Sequence, residues 1–215
     1  MMVHSRDAAV SENEWRAWLA AGRDFGQLVV ADPDGWPAVV PTHFTVDDER
    51  TGLVHPALPN PVWRLIEAQP RVVLTVVDDY AYVPTTWRAA PGSHANDGVP
   101  TSYYAAVQLR CQAEIVDDPD EKAELLRRQL RCLQPQQEHA PVSVDAPPYA
   151  RLLPGIRGLR MHVGDVVPKF KFDDHKPVDH RLAVADHLQQ RDQGRDRGAR
   201  AQQLRRLHAS DVGSA

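Results

Sequence analysis

Between Gln27 and His55 the chain reverses direction every few residues. Gln27-Leu28-Val29-Val30-Ala31 and Trp36-Pro37-Ala38-Val39-Val40 flank the turn Asp32-Pro33-Asp34-Gly35. Phe44-Thr45-Val46 then reaches Leu53-Val54-His55 across the acidic turn Asp47-Asp48-Glu49-Arg50-Thr51-Gly52. Valine-rich runs this short are too brief for helices, and the Asp/Gly punctuation between the first pair is hairpin chemistry. Parallel strands would need long crossover connections, so the pattern predicts a mainly β, α+β fold built on an antiparallel barrel.

Helices sit around these strands. Ser11 followed by Glu14 is a capping-box signature, and Trp15, Trp18 and Leu19 fall on one face of the helix it opens. Pro61 suits a first helical position, with Trp63 and Ile66 as the apolar face and Pro70 as the stop. Asp117-Asp118-Pro119 opens a third helix with the stripe Ala123, Leu126, Leu130 and Leu133. The run Val72–Val77 predicts a strand buried on both faces, and Tyr80–Val83 a separate one. Tyr103–Val116 and Ile156–Val167 complete the strands, and Gln134–Pro148 reads as irregular. The polar stretch Pro84–Pro100, with Pro91-Gly92-Ser93-His94 inside it, is long enough to expect function from it. After His187 apolar residues thin out into Arg191-Asp192-Gln193-Gly194-Arg195-Asp196-Arg197-Gly198, which predicts disorder. The expected organisation is an N-terminal helical extension (1–25), a central domain (26–188) and a disordered tail (189–215).

Charge narrows the partners. A formal net charge of −4 argues against nucleic acid as the main partner, because neutralising phosphates needs a basic face. Cys111 and Cys132 have neither metal-ligand spacing nor a disulfide framework around them, which points to a reducing cytoplasm. No window is apolar enough for a signal peptide or a membrane span.

The chemistry gathers at His55, a histidine delivered to a strand end and followed at once by Asn60-Pro61-Val62-Trp63. His55 can act as a metal ligand through a neutral imidazole nitrogen, or simply bond a backbone carbonyl. His43 lies at a neighbouring strand end as a candidate acid–base group or a capping residue. Lys169 and Lys171 alternate along an extended segment and so share a face. They suit an anionic cofactor group, although lysines also decorate ordinary strand edges. Asn60 either helps a helix start hold an anion or merely caps it.

These segments, in this order, resemble the PaiB family of FMN-binding split-barrel proteins. Thr42-His43-Phe44 matches a Thr-His strand end, and Val54-His55-Pro56-Ala57-Leu58-Pro59-Asn60-Pro61-Val62-Trp63 matches a Gly-His-x-Ala-Arg-Ala-Asn-Pro-x-Trp segment. Ala81-Tyr82-Val83-Pro84-Thr85-Thr86-Trp87, Val99-Pro100-Thr101-Ser102-Tyr103-Tyr104 and Lys169-Phe170-Lys171-Phe172-Asp173-Asp174-His175 match three more. The resemblance runs from about Gly26 to Leu188. It implies a split β-barrel of the pyridoxamine-phosphate-oxidase type with peripheral helices, a homodimer with the cofactor near its interface, and a small-molecule substrate. The chain departs from the family where a phosphate would bind. Leu58 replaces the arginine, Pro84 replaces a serine, and Asp173-Asp174-His175 replaces Ser-Gln-Asn. Two carboxylates beside a phosphate repel it unless they are paired.

A branch of the same family, the piperazate synthases, carries haem instead and closes an N–N bond. Likeness to that branch implies haem b, with His55 as axial iron ligand, and a substrate such as N5-hydroxyornithine. His43 and Tyr104 are then the catalytic candidates. Asn60, Trp63, Tyr82, Trp87, Lys169 and Lys171 are the candidate cofactor contacts, with the aromatic rings either stacking on the macrocycle or serving as core. Thr101 and Tyr103 are expected near the same cavity, and His175 is an alternative ligand. The second implication is a PaiB-like FMN-binding negative transcriptional regulator or flavin-dependent oxidoreductase.

Overall fold

A computed structural model describes residues 1–33, 35–47, 49–90 and 92–212. Asp34, Asp48 and Pro91, which belong to the expected turns and loop, lie outside the described residues. In chain order the elements are α1 (Glu12–Ala20), β1 (Phe25–Val30), β2 (Ala38–His43), β3 (Thr45–Val46), β4 (Thr51–Val54) and α2 (Val62–Ala68). There follow β5 (Arg71–Val83), β6 (Thr101–Val116), α3 (Pro119–Leu133), α4 (Tyr149–Leu152), β7 (Gly158–Lys171), α5 (Val178–Arg191) and α6 (Asp196–Val212). No helix among the described residues is long and apolar enough to cross a membrane.

The chain divides into two compact units, and each of the long strands β5, β6 and β7 starts in one and ends in the other. The seven strands run in the order β2-β1-β5-β6-β7-β4-β3, and β1 to β4 lie wholly within the unit of residues 22–76 and 108–166. The hairpin expected from the Asp32–Gly35 region is present, with Val30 opposite Ala38 and Phe25 opposite His43. β4 does not pair within that first hairpin group; it runs antiparallel to β7, with Val54 opposite Leu159. Leu28, Val30, Leu53, Val54, Ile66, Val72, Leu74, Leu109, Leu159 and Met161 form the core. The helix after Pro61 forms as α2 and buries Trp63 and Ile66.

α3 begins as the sequence predicts, with Asp118 accepting from the amides of Asp120 and Glu121. Its Ala123 and Leu126 pack on Val142 and Leu153. A second buried row, Lys122, Leu125 and Gln129, departs from the expected stripe. The Lys122 ammonium is satisfied by the carbonyls of Leu153 (2.9 Å) and Ile156 (3.2 Å), which removes the cost of burying it.

The other unit comprises residues 1–21, 77–107 and 167–215. Its core joins Trp15, Trp18, Tyr103, Phe170, Phe172, Val184 and Leu188. Trp18 meets Phe170 edge to face at 5.9 Å, and Tyr103 meets Phe172 at 5.6 Å.

Four expectations need correction. Val72–Val77 and Tyr80–Val83 are one strand, β5. Burial falls on even residues up to Val76 and on odd residues from Asp79, so one extra residue is inserted between them. Asp79, at φ 51°, is the left-handed residue of this bulge. Second, the run is not buried on both faces, since Val77 is 53% exposed; one face of an antiparallel sheet can remain solvated. Third, Ser11 makes no side-chain cap. Glu14 instead accepts from the amide of Val10 at 2.6 Å and pairs with Arg205 and Arg206.

The fourth correction concerns the tail. The composition of residues 189–215 predicts disorder, yet α5 extends to Arg191 and α6 runs to Val212. Hydropathy misses it because α6 turns Gln203 and Arg206 inward, along with Ala199 and Leu207. Residues 1–21 group with this unit.

Candidate functional site

β4 buries Leu53 and Val54, and the chain leaves the sheet at His55. Backbone bonds then clamp the segment Pro56–Leu58: Arg157 N donates to Pro56 O at 3.2 Å, and Leu58 N donates to Gly155 O at 2.8 Å. Trp63 Nε1 donates to Ala57 O at 2.9 Å and the Arg157 guanidinium lies 5.2 Å from the Trp63 ring. Asn60 Oδ1 accepts from Val62 N at 3.0 Å, the local capping geometry. This stitching holds the His55 backbone.

The imidazole is held as well. His55 Nδ1 lies 2.5 Å from Gln129 Oε1, and Gln129 Nε2 donates to Leu53 O at 2.9 Å. A carbonyl can only accept, so the amide nitrogen must face Leu53 and the amide oxygen must face His55. That oxygen in turn requires a donor, so the neutral imidazole carries its proton on Nδ1 and keeps the lone pair on Nε2. Because Gln129 is only 1% exposed, water does not compete for it. A histidine whose one nitrogen is pinned and whose other is free for coordination is the arrangement that iron- and zinc-binding histidines use.

His43 lies exposed at the end of β2 in the same unit. Its Nδ1 is 3.5 Å from Asp24 Oδ1, and its ring meets Phe25 at 4.9 Å. No described hydrogen bond or ion pair links it to His55. Leu58, at the position of the family arginine, is 49% exposed.

The lysines belong to the other unit. Lys171 Nζ donates to Thr101 Oγ1 at 2.8 Å, and Lys169 Nζ to Met2 O at 3.0 Å. Both ammonium groups lie over the Tyr104 ring, at 5.9 and 5.5 Å, so the shared face expected from their spacing exists. Trp87 stacks on His187 at 4.9 Å, with the Arg191 guanidinium 4.6 Å from its ring. The Tyr82 side chain is exposed, and its carbonyl accepts from Arg191.

The Asp173–Asp174 carboxylates, expected to repel an anion unless paired, are paired. Asp173 meets Arg88 at 2.9 Å and accepts from the Tyr103 hydroxyl at 3.2 Å, and Gln203 donates to that same hydroxyl. Burial, and then the Asp173 charge, push the Tyr103 hydroxyl far above its ordinary pKa, so it stays protonated. Asp174 is bound by Arg181 and Arg206. His175 is exposed in the turn after β7. Among the described residues no three His, Cys, Asp or Glu side chains group as a metal site. A haem needs only one protein ligand, because the porphyrin supplies four nitrogens.

The sequence singles out His55 as a candidate and does not single out its partner Gln129. The signal available was its place in the row Lys122, Leu125, Gln129, but a glutamine among arginines on a helix reads as solvated.

The family model described as "Putative FMN-binding domain" matches residues 1–165. A curated relative, protease synthase and sporulation protein PAI 2 of Bacillus subtilis (strain 168), is 28% identical over 171 residues, covering 77% of this chain and 78% of the relative. The FAD and heme binding protein from Mycobacterium smegmatis superposes with a TM-score of 0.59 at 14% identity, over 82% of this chain and 78% of that one. The flavocytochrome Anf3 from Azotobacter vinelandii gives 0.57 at 20% identity, over 76% and 68%. At such identities the solved structures establish the split-barrel fold and leave the ligand to the residues.

Proposed function

The chain belongs to the PaiB-like FMN-binding domain family, and on that premise we propose that it is an enzyme holding haem b through His55 Nε2. The observation that carries this reading is the Leu53–Gln129–His55 relay, which leaves one imidazole lone pair free. Leu58 supports haem over flavin, since an aliphatic side chain stands where the family holds a phosphate. The paired Asp173 and Asp174 do not discriminate between the two cofactors. The fold is compatible with haem, as the description of the M. smegmatis neighbour indicates.

Bound haem would supply a Lewis-acidic iron able to polarise an N–O bond. The proposed substrate is a small N-hydroxylated diamine amino acid such as N5-hydroxyornithine. Ring closure forms an N–N bond and releases water, with no net oxidation or reduction. In this reading His55 keeps its proton on Nδ1 throughout, because Gln129 accepts it. His43, beside the Asp24 carboxylate, carries protons between substrate and solvent. Lys169 and Lys171, in the other unit, suit the carboxylates or phosphate of an anionic ligand above the Tyr104 ring. Asn60 and Trp63 shape the surroundings of His55. A second copy of the chain, as the family resemblance implies, would complete the cofactor cavity.

The test is the absorption spectrum after reconstitution with hemin. Wild type gains a Soret band; His55→Ala loses it or shifts it, and added imidazole restores it. An unchanged band in His55→Ala sinks the axial assignment. A yellow protein with flavin absorbance and no Soret band would instead favour the FMN reading. Gln129→Leu should fold and still weaken haem binding by about 10- to 100-fold, because the imidazole loses its tautomer control.

A further inference from the structure

The Lys169–Lys171 pair is not open; one of its two ammonium groups is already capped from within the chain. Lys169 Nζ donates to the Met2 carbonyl at 3.0 Å and faces the Asp7 carboxylate at 3.9 Å. Asp7 is 4% exposed, and Lys169 is its only ion-pair partner among the described residues. The backbone of Ala8 forms a single antiparallel bridge to Lys169. Residues 2–8 thus place one carbonyl and one carboxylate where an anionic ligand would place its oxygens.

The attachment of this segment is uneven. At its far end, Arg206 donates to the Arg6 carbonyl at 3.4 Å and the Ala8 carbonyl at 3.0 Å. At its near end the Met2 side chain is 72% exposed and contributes little burial. Release of Met2 and Asp7 from Lys169 therefore breaks one hydrogen bond and one long ion pair there, together with the long bond from Arg206 to the Arg6 carbonyl, and Ala8, still held by Arg206, acts as the hinge. Lys171, by contrast, has the neutral Thr101 hydroxyl as its hydrogen-bond partner among the described residues. Two ammonium groups against one carboxylate leave a net positive charge on the Tyr104 face.

We propose that residues 2–7 are an internal competitor for an anion site made by Lys169, Lys171 and Thr101, so that a phosphate- or carboxylate-bearing ligand binds by displacing Met2 and Asp7 from Lys169. This rests on the reading of the lysines as anion-holding residues, but it concerns who occupies them when no cofactor is present. The segment keeps a buried ammonium satisfied in the free protein, and it sets the affinity threshold that a ligand must exceed.

The experiment uses the full chain and inorganic phosphate as the probe, so that it stands apart from any haem spectrum. Phosphate affinity is measured by calorimetry at fixed ionic strength, and amide exchange of residues 4–8 is followed by mass spectrometry. In wild type, saturating phosphate speeds exchange at Asp7 and Ala8. Asp7→Asn tightens phosphate by about three- to tenfold, because the competing charge is gone. Lys171→Met, which leaves the Lys169 contacts in place, weakens it at least about tenfold. Unchanged exchange at saturation, or an Asp7→Asn variant with wild-type affinity, overturns the competition. Loss of the Soret prediction with these results intact would reject haem alone.

Discussion

Replacing Arg206 by methionine should lower the stability of the protein by about 3–5 kcal/mol, the usual cost of stranding buried charges. The Arg206 side chain is 4% exposed and joins partners from distant parts of the chain. It pairs with Glu14 at 2.7 Å and with Asp174, bonds the carbonyls of Arg6 and Ala8, and lies 5.5 Å from the Phe170 ring. Methionine keeps the stem and its packing, so the measured loss reports the charge. Glu14, with a side chain only 2% exposed, then faces Arg205 alone. Urea titrations of the two proteins check the figure. A loss below about 1 kcal/mol would mean that α6 is not held by this network.

The same network sets an acid limit. Burial raises the Glu14 pKa, but the Val10 amide and the charges of Arg205 and Arg206 outweigh it and hold the carboxyl below its ordinary value. A depressed carboxyl contributes stability that is present above its unfolded pKa and is lost as pH falls through the folded one. Wild type should therefore lose stability as pH falls below about 4.5, and Arg206→Met, less stable throughout, should show a shallower loss over that range because its Glu14 carboxyl is less depressed. Thermal midpoints between pH 3 and 7 test the sign.

Gly198→Ala is the second large effect expected, and its direction is diagnostic. Alanine in an exposed helix normally stabilises by about 1 kcal/mol relative to glycine. Here a Cβ on Gly198 would lie 2.2 Å from Asp79 Oδ1. Asp79 cannot swing away cheaply, because its other oxygen accepts from Trp18 Nε1 and Gln202 Nε2, each at 2.8 Å, and its backbone holds the bulge of β5. The substitution should therefore destabilise by about 2–4 kcal/mol, displacing α6 from the bulge. Gly194→Ala adds a Cβ that meets nothing within 4 Å, although its φ of 54° favours glycine, so it controls for backbone strain without a clash. A neutral Gly198→Ala would show that α6 docks differently.

Much of the fold was legible because its strands and helices are marked locally. The Asp32–Gly35 turn, Pro61 and Asp118 each act on the residues beside them, and each boundary fell where that chemistry placed it within a residue or two. β5 was misjudged because a bulge looks like a break when only the alternation can be seen. Glu14 was misjudged because Ser11 and Glu14 have the spacing of a cap, while two arginines nearly two hundred residues away compete for the same carboxylate. Of the site, His55 and the shared face of Lys169 and Lys171 could be found in advance. Their partners could not: Gln129 is 74 residues from His55, and Met2 is 167 from Lys169.

The sequence by itself determined the hairpins, the helix starts, the delivery of His55 to a strand end and the family to which the chain belongs. Those features rest on turn residues, proline and local periodicity, which act over a few residues whatever the rest of the chain does. Only the tertiary structure decided that the polar C-terminal residues form a docked helix, that Asp173 and Asp174 are neutralised, and which nitrogen of His55 is free. Each of these depends on buried polar groups finding partners across the chain, and burial makes such pairing obligatory without saying in advance which partner will serve.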